Sequence, residues 1–184
     1  AGYCAINPAS GRPDVKPAEK SKRVLVIGGG VAGMQAALTA TQRGHKVVLV
    51  EQSDRLGGIL NFTDTDVDKE DLRNFKNVII REVEEAGIEV RLNTVADEKL
   101  INELKPEAII IAVGAKPSKP PIPGIDSVRP ALDVYYGYEP GKEVIMVGGG
   151  LVGCETALHL AKTGHKVTIV EMLDRLADDS YGMY

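Results

Sequence analysis

A repeated segment is the feature that most constrains the fold of this chain. Residues 22–57 and residues 142–177 align without gaps, with 17 identities in 36 positions, at a separation of 120 residues. Two copies at this distance differ from solenoid repeats, whose periods are about 20–50 residues. The repeat therefore predicts two related modules in series.

Each copy has the order strand, glycine loop, helix, strand. The opening runs 24–27 and 144–147 are continuously apolar, which is typical of parallel strands covered on both faces. The predicted helices keep small or apolar residues on one face: Ala37, Leu38 and Ala40, then Ala157, Leu158 and Leu160. Gly44 and Gly164 should end these helices in the left-handed conformation. The pattern predicts an α/β fold: a Rossmann-like parallel sheet with helices on both faces, followed by the first βαβ unit of a second Rossmann-like module.

Three glycines follow the first strand of each copy in G-x-G-x-x-G spacing: Gly28, Gly30 and Gly33, then Gly148, Gly150 and Gly153. In dinucleotide-binding loops the first permits a tight turn, the second admits a pyrophosphate close to the backbone, and the third lets the helix pack on the strand. The N-terminus of the helix adds free N–H groups and partial positive charge. The alternative is a glycine turn in a domain that binds nothing. The duplicated context favours dinucleotide binding.

A carboxylate ends the second strand of each copy. Glu51 and Glu171 each lie 23 positions after the first glycine of their loop. An acid about 20 residues after that glycine typically accepts hydrogen bonds from ribose hydroxyls. These two glutamates are therefore predicted to bind the ribose of each nucleotide.

Composition excludes several other functions. The net charge is −4 with no basic run, which argues against a nucleic-acid partner. No apolar stretch is long enough to span a membrane, and no signal peptide is visible. Cys4 and Cys154 are too few for a disulfide framework. These features predict a cytoplasmic protein without nucleic-acid or membrane partners.

The predicted domain organisation has four parts. Residues 1–21 are read as a linker, 22–125 as the first nucleotide-binding module, 126–141 as a crossing segment and 142–184 as the start of a second, truncated module. Within the first module, the pattern predicts a helix over 68–86 with Asp68 as its N-cap, a short helix over 97–104, and strands over 88–92 and 108–113.

The sequence resembles the flavin- and pyridine-nucleotide-binding region of iron–sulfur flavoenzymes related to 2,4-dienoyl-CoA reductase and trimethylamine dehydrogenase. The resemblance is carried by the two glycine motifs and by five segments: Cys4-Ala5-Ile6-Asn7-Pro8, Arg55-Leu56-Gly57-Gly58-Ile59-Leu60, Lys69-Glu70-Asp71-Leu72, Ala112-Val113-Gly114-Ala115 and Pro121-Ile122-Pro123-Gly124. In that family a barrel holds FMN and the substrate, a four-cysteine [4Fe–4S] cluster follows, and a two-domain module carries FAD and NAD(P)H.

The resemblance implies a role for each candidate residue. Gly28, Gly30 and Gly33 would hold the FAD pyrophosphate, and Glu51 its adenosine ribose. Gly57 and Gly58 would let the backbone approach the flavin side, and Gly114 would turn the chain away from the cofactor. The glycines Gly148, Gly150 and Gly153, with Glu171, would bind NAD(P)H. Glu171 should repel a 2′-phosphate and so favour NADH over NADPH, although nearby Arg175 leaves this open. Cys4 matches the last cluster ligand, a role available only in a full-length protein.

By resemblance, the chain is expected to be a fragment of a multidomain oxidoreductase. Hydride from NAD(P)H would enter on FAD, and electrons would pass through the cluster to FMN for reduction of an activated C=C bond in an enoate or enoyl-CoA. Its partners would be the barrel and the C-terminal remainder of the same chain. No catalytic residue is expected in the fragment, which alone should be inactive and prone to self-association. The alternatives are the electron-input subunit of a glutamate-synthase-like enzyme and a non-catalytic nucleotide-binding scaffold.

Overall fold

The computed structural model describes residues 7, 10 and 14–178 of the chain. The chain divides into two compact units. The first unit contains Ala1–Asp64 and Asp68–Lys116, and the second contains Thr65–Val67 and Pro117–Tyr184.

The first unit is built on a four-stranded parallel sheet. Its strands have the order β3-β2-β1-β4 and the bounds β1 Arg23–Ile27, β2 Lys46–Val50, β3 Glu89–Arg91 and β4 Ala108–Ile111. Ile27 lies beside Val50 on one side and Ile111 on the other. The carboxyl ends of three strands therefore meet at one edge, which is where ligands bind in open α/β sheets.

Helices cover both faces of this sheet, as the sequence predicts. The helices of the first unit are α1 (Val31–Gln42), α2 (Glu70–Glu85) and α3 (Glu98–Leu104). On one face Val26 packs in a core cluster with Met34 of α1 and Ile79 of α2. On the other face Leu25 packs with Leu100 of α3. Because successive side chains of a strand point to opposite faces, β1 supplies both cores.

Several boundaries differ from the sequence prediction. Helix α2 begins at Glu70, after a 3-10 turn over Val67–Lys69. The prediction of Asp68 as N-cap is wrong, because Asp68 lies inside this turn and Lys69 occupies the cap position. Strands β3 and β4 are shorter than the predicted 88–92 and 108–113. Asp97 caps α3 by accepting the Leu100 N–H at 2.8 Å.

The second unit contains the predicted βαβ arrangement. Strands β5 (Glu143–Val147) and β6 (Lys166–Val170) pair in parallel and are joined by α4 (Leu151–Lys162). Met146, Ala157 and Leu160 form its core. A 3-10 segment over Ala131–Tyr136 precedes β5, and Ala131 and Val134 pack against this core.

The second copy is covered on one face only within the described residues. Ile145 is 71% exposed and Val147 is 56% exposed, although the continuous apolar run 144–147 is typical of a strand covered on both faces. The two copies also differ in the exposure of one pair of equivalent helical leucines. Leu38 is buried among residues of α2, whereas the equivalent Leu158 is 55% exposed. Because α2 covers α1 in the first unit, Leu38 has an apolar neighbour at a position where Leu158 faces solvent.

The predicted helix ends at Gly44 and Gly164 are confirmed. Both glycines have positive φ, +87° and +94°. After α1, Gly44 donates its N–H to Thr41 and His45 donates its backbone N–H to Ala40. This pair of bonds is the Schellman motif, and residues 160–165 repeat it.

No helix in the described part of the chain combines the length and the apolar character that a membrane crossing requires.

Candidate functional site

The glycine loop of the first unit lies at the carboxyl end of β1. Gly28 donates its N–H to the Val50 carbonyl oxygen at 2.8 Å. A Cβ added at Gly28 would lie 2.3 Å from the Ala112 carbonyl oxygen, and one at Gly33 would lie 1.8 Å from the Gly28 carbonyl oxygen. Side chains do not fit at these distances, so the packing of α1 and β4 against β1 itself demands both glycines.

Gly30 differs from its two neighbours in the motif. A Cβ added there would meet a single neighbour within 4 Å, the Cα of Gly58 at 3.8 Å. Its φ of −75° and ψ of 179° are extended backbone that any residue adopts. Neither packing nor conformation therefore requires glycine at position 30. The open space beside this backbone is the space that a cofactor pyrophosphate would fill.

Helix α1 starts at this same space. Gly30 occupies its N-cap position, and among the described residues no side chain caps the helix and no acidic residue lies in its first turn. The first N–H groups of a helix have no partners within the helix, and its dipole favours a negative charge there. This end of α1 therefore suits a phosphate group.

Glu51 is held in place beside the loop by three hydrogen bonds. Its Oε2 accepts the Gly29 N–H at 2.6 Å, and its Oε1 accepts the N–H and the hydroxyl of Ser53, both at 2.8 Å. Burial raises the pKa of Glu51, but the hydrogen bonds from the N–H groups of Ser53 and Gly29 lower it by a larger amount. The pKa of Glu51 therefore lies below its ordinary value. The group is thus a carboxylate at neutral pH. With about four lone-pair sites, it retains capacity to accept from a ribose hydroxyl.

Gly57 and Gly58 return the chain to the glycine loop. Gly57 donates its N–H to the Gly29 carbonyl oxygen at 2.9 Å and forms an isolated parallel bridge with Gly30. A Cβ added at Gly58 would lie only 2.8 Å from the Gly30 Cα. The structure therefore brings this predicted glycine pair together with the glycine loop.

Gly114 lies three residues after the end of β4. Its φ is +72°, and among the described residues no atom other than those of its chain neighbours lies within 4 Å of an added Cβ. The preceding segment runs beside the loop, because Ala112 donates its N–H to Ile27 at 2.8 Å. Gly114 thus turns the chain just after that segment, in a conformation that favours glycine.

Sequence reasoning missed Lys76. Lys76 is 4% exposed, and its ammonium group pairs with Asp64. Its Cδ lies 3.0 Å from the position of a Cβ added at Gly57, so its stem packs against the glycine pair. The available signal was its spacing, since position 76 falls four residues after Leu72 and three before Ile79 on the apolar stripe of α2.

The second unit repeats the loop geometry of the first. Gly148 donates its N–H to Val170 at 2.9 Å, and a Cβ added at Gly153 would lie 2.0 Å from the Gly148 carbonyl oxygen. Glu171 accepts the Gly149 N–H at 2.6 Å through Oε2 and the N–H groups of Met172 and Leu173 through Oε1. The Leu173 N–H, followed by that of Gly149, lowers the pKa of Glu171, so this acid is also ionised.

A cavity of about 380 Å³ lies over the second glycine loop. Its lining includes Gly148, Gly150, Gly153, Ala131, Met146 and Leu151. The cavity therefore brings together the three predicted glycines and the start of α4. Another cavity, of about 400 Å³ in the first unit, is lined by Leu56, Asn61, Lys76, Ile80 and Val90 rather than by the predicted loop residues.

Cys154 and His159, whose side chains are of types that can bind metals or act in catalysis, make structural contacts here. Cys154 is half-buried and donates its thiol to the Gly149 carbonyl oxygen at 3.2 Å. The ring of His159 packs on that of Tyr135 at 4.8 Å. Within residues 14–178 no three side chains of His, Cys, Asp or Glu come together as a metal site. Cys4 lies outside the described residues.

Known proteins share this arrangement. Residues 22–183 match the family described as pyridine nucleotide-disulphide oxidoreductase. An NADH oxidase from Thermoanaerobacter brockii is 43% identical over 96% of this chain, and a cinnamate reductase from Clostridium sporogenes is 43% identical over 92%. The solved structure of a 2-naphthoyl-CoA reductase covers 96% of the chain with a TM-score of 0.89 and 34% identity.

This chain spans less than a third of each of these relatives: 29% of the NADH oxidase, 26% of the cinnamate reductase and 28% of the 2-naphthoyl-CoA reductase. The match confirms the predicted Rossmann-like fold and the prediction of a flavin- and pyridine-nucleotide-binding oxidoreductase module at the level of the family. With the two glycine loops and their carboxylates in equivalent positions, the chain belongs to the pyridine nucleotide-disulphide oxidoreductase family.

Proposed function

We propose that this chain is the FAD-binding half-module, with the opening unit of the NAD(P)H module, of a flavin oxidoreductase. The observation that carries the proposal is the open space at Gly30, where an added Cβ would meet only Gly58 at 3.8 Å. Gly28 and Gly33 are explained by packing, whereas Gly30 is explained by a ligand that approaches the backbone.

In the first unit the FAD pyrophosphate would lie beside Gly30, at the uncapped start of α1. Glu51 would accept hydrogen bonds from the adenosine ribose, already oriented by Gly29 and Ser53. The bare backbone of Gly57 and Gly58 would leave room along the cofactor towards its flavin end, and Gly114 would turn the chain away from it.

In the second unit the cavity over Gly148, Gly150 and Gly153 would hold the pyridine nucleotide. Glu171 would accept from the nucleotide ribose, and its negative charge favours NADH over NADPH. With both cofactors bound, NAD(P)H would supply a hydride to FAD, and the protein's part would be to bind and orient them. No residue of this chain is assigned as a general acid or base.

The wider proposal concerns the longer protein. Its electron path would run from FAD through a [4Fe–4S] cluster, with Cys4 as one ligand, to FMN in a separate barrel. There an activated C=C bond of an enoate or enoyl-CoA would be reduced. The names of two relatives, a cinnamate reductase and a 2-naphthoyl-CoA reductase, support the class of substrate in this last step. The barrel and the remainder of the same chain would then be its partners, and this chain alone would be inactive.

The test compares two glycine-to-alanine variants of the full-length protein. Gly30→Ala adds a methyl group in the proposed pyrophosphate space. Gly141→Ala adds one where no atom of the described residues lies within 4 Å, chain neighbours excepted. We expect FAD affinity to fall by about tenfold or more in Gly30→Ala, because overfilling a packed contact costs about 1–3 kcal/mol. Gly141→Ala should bind FAD like the parent, and without FAD both variants should melt like the parent.

Two results would overturn the proposal. One is unchanged FAD binding by Gly30→Ala, measured by titration of the visible flavin absorption. The other is a parent protein whose bound flavin is not bleached by NADH, which would favour the non-catalytic nucleotide-binding scaffold instead.

A further inference from the structure

The loop that follows β6 contains a basic residue, Arg175, near the acid Glu171, in the part of a Rossmann-like module that distinguishes NADH from NADPH. In Rossmann-like modules an arginine near the ribose-binding acid can accommodate the 2′-phosphate of NADP(H). Arg175 lies four residues after Glu171 and is 62% exposed, so its position alone would allow that role.

The structure places the Arg175 guanidinium against two carboxylates. Its Nε lies 2.9 Å from Asp178 and 3.8 Å from Asp174. Glu171 adds a third negative charge to the same loop, fixed by backbone N–H groups on both of its oxygens. Residues 171–178 therefore carry three carboxylates against one guanidinium, and the guanidinium is already paired.

The backbone holds Asp178 in this position. Ala177 donates its N–H to the Gly149 carbonyl oxygen at 2.7 Å, as Gly57 does to Gly29 in the first unit. Ala177 has a φ of +52° although it is not glycine. The chain thus returns to the loop in both copies, and the register puts Asp178 where the first unit has Gly58. A carboxylate replaces a bare backbone at this point.

We infer that Asp178 is a specificity-determining residue for the pyridine nucleotide: it holds Arg175 away from a 2′-phosphate and so selects NADH. This inference rests on the proposed nucleotide site of the second unit. It differs from the effect of Glu171, which repels a 2′-phosphate directly, because Asp178 acts through the arginine that would otherwise bind that phosphate.

The experiment measures the dissociation constants of NAD⁺ and NADP⁺ by calorimetry with the full-length protein, which requires no turnover. In Asp178→Asn the ratio of the NADP⁺ constant to the NAD⁺ constant should fall roughly three- to fivefold, which is the upper part of the range for one exposed ion pair. Asp174→Asn is the matched control, because it removes the same charge and leaves the 2.9 Å pair intact. It should change the ratio less than twofold.

A second substitution tests whether Arg175 is the residue that binds the 2′-phosphate. Arg175→Ala in the Asp178→Asn background should restore the parent ratio, because the freed guanidinium is what would bind the phosphate. Equal effects of Asp178→Asn and Asp174→Asn would show that net charge alone determines the ratio of the two constants, and would overturn the inference. Failure of Arg175→Ala to reverse the change would also overturn it. If the parent binds neither nucleotide, the proposed function of the second unit fails first.

Discussion

The buried ammonium group of Lys76 on α2 pairs with the Asp64 carboxylate, at the end of the 3-10 segment Gly58–Asp64. Lys76 is almost fully buried, whereas the Asp64 side chain is 36% exposed. The pair is therefore asymmetric, and the two partners should respond differently to substitution.

Removing Asp64 should cost more stability than removing both charges. Asp64→Asn leaves a buried cation without its counter-charge, and we expect the free energy of unfolding to fall by about 2 kcal/mol. The double variant Lys76→Met/Asp64→Asn keeps an apolar stem against Gly57 and removes both charges. It should recover most of that loss, as measured by urea denaturation. A double variant less stable than Asp64→Asn would contradict this account.

Glu51 predicts a specific dependence of stability on pH. Its pKa in the folded chain lies below the ordinary 4.5, so the carboxylate form stabilises the fold. This contribution is present above the unfolded pKa and is lost as the pH falls through the folded value. Between pH 6 and pH 3, roughly the range that spans carboxyl titration, the melting temperature of the parent should therefore fall further than that of Glu51→Gln. Glu82→Gln, at an exposed position on α2, should follow the parent.

The approach of Gly58 to Gly30 predicts a steric cost. Gly58 and Gly114 both have positive φ, +55° and +72°, so alanine at either position pays about 1 kcal/mol for the left-handed conformation. Within the described part of the chain, an added Cβ at Gly114 meets no atom within 4 Å beyond its chain neighbours, whereas one at Gly58 lies 2.8 Å from the Gly30 Cα. Chemical denaturation should find Gly58→Ala less stable than Gly114→Ala by about 1–3 kcal/mol. Equal losses would mean that the contact relaxes freely.

The uncovered face of β5 predicts self-association of this chain when it is studied alone. Ile145 and Val147 lie exposed on that face, and a large exposed apolar patch favours association. Sedimentation velocity should detect larger species as the concentration rises through the micromolar range. Ile145→Lys should shift the distribution towards monomer, and Val95→Lys, at an exposed apolar position of the first unit, should not. A parent that stays monomeric throughout would refute the prediction.

The repeat alone was enough to predict the strand–loop–helix–strand order of both units. Local backbone geometry sets the spacing of the loop glycines, the two acids and the helix ends at Gly44 and Gly164. Their positions could therefore be predicted from the sequence. Exposure of Leu158 was not readable in this way, because it depends on whether another helix covers α4. Lys76 was missed because its charge masked its place on the stripe of α2. The prediction of Asp68 as N-cap was wrong because a 3-10 turn over Val67–Lys69 directly precedes the helix and contains Asp68.

The clasp that closes each loop is made from main-chain atoms alone: Gly29 accepts from Gly57, and Gly149 accepts from Ala177. This hydrogen bond requires no particular side chain on its donor, which is glycine in one copy and alanine in the other. The position after the donor meets different limits in the two copies: Gly58 lies too close to the Gly30 Cα to carry a Cβ without a shift, whereas the equivalent Asp178 carries a carboxylate. The two copies therefore close their glycine loops by the same bond and differ in the group that follows it.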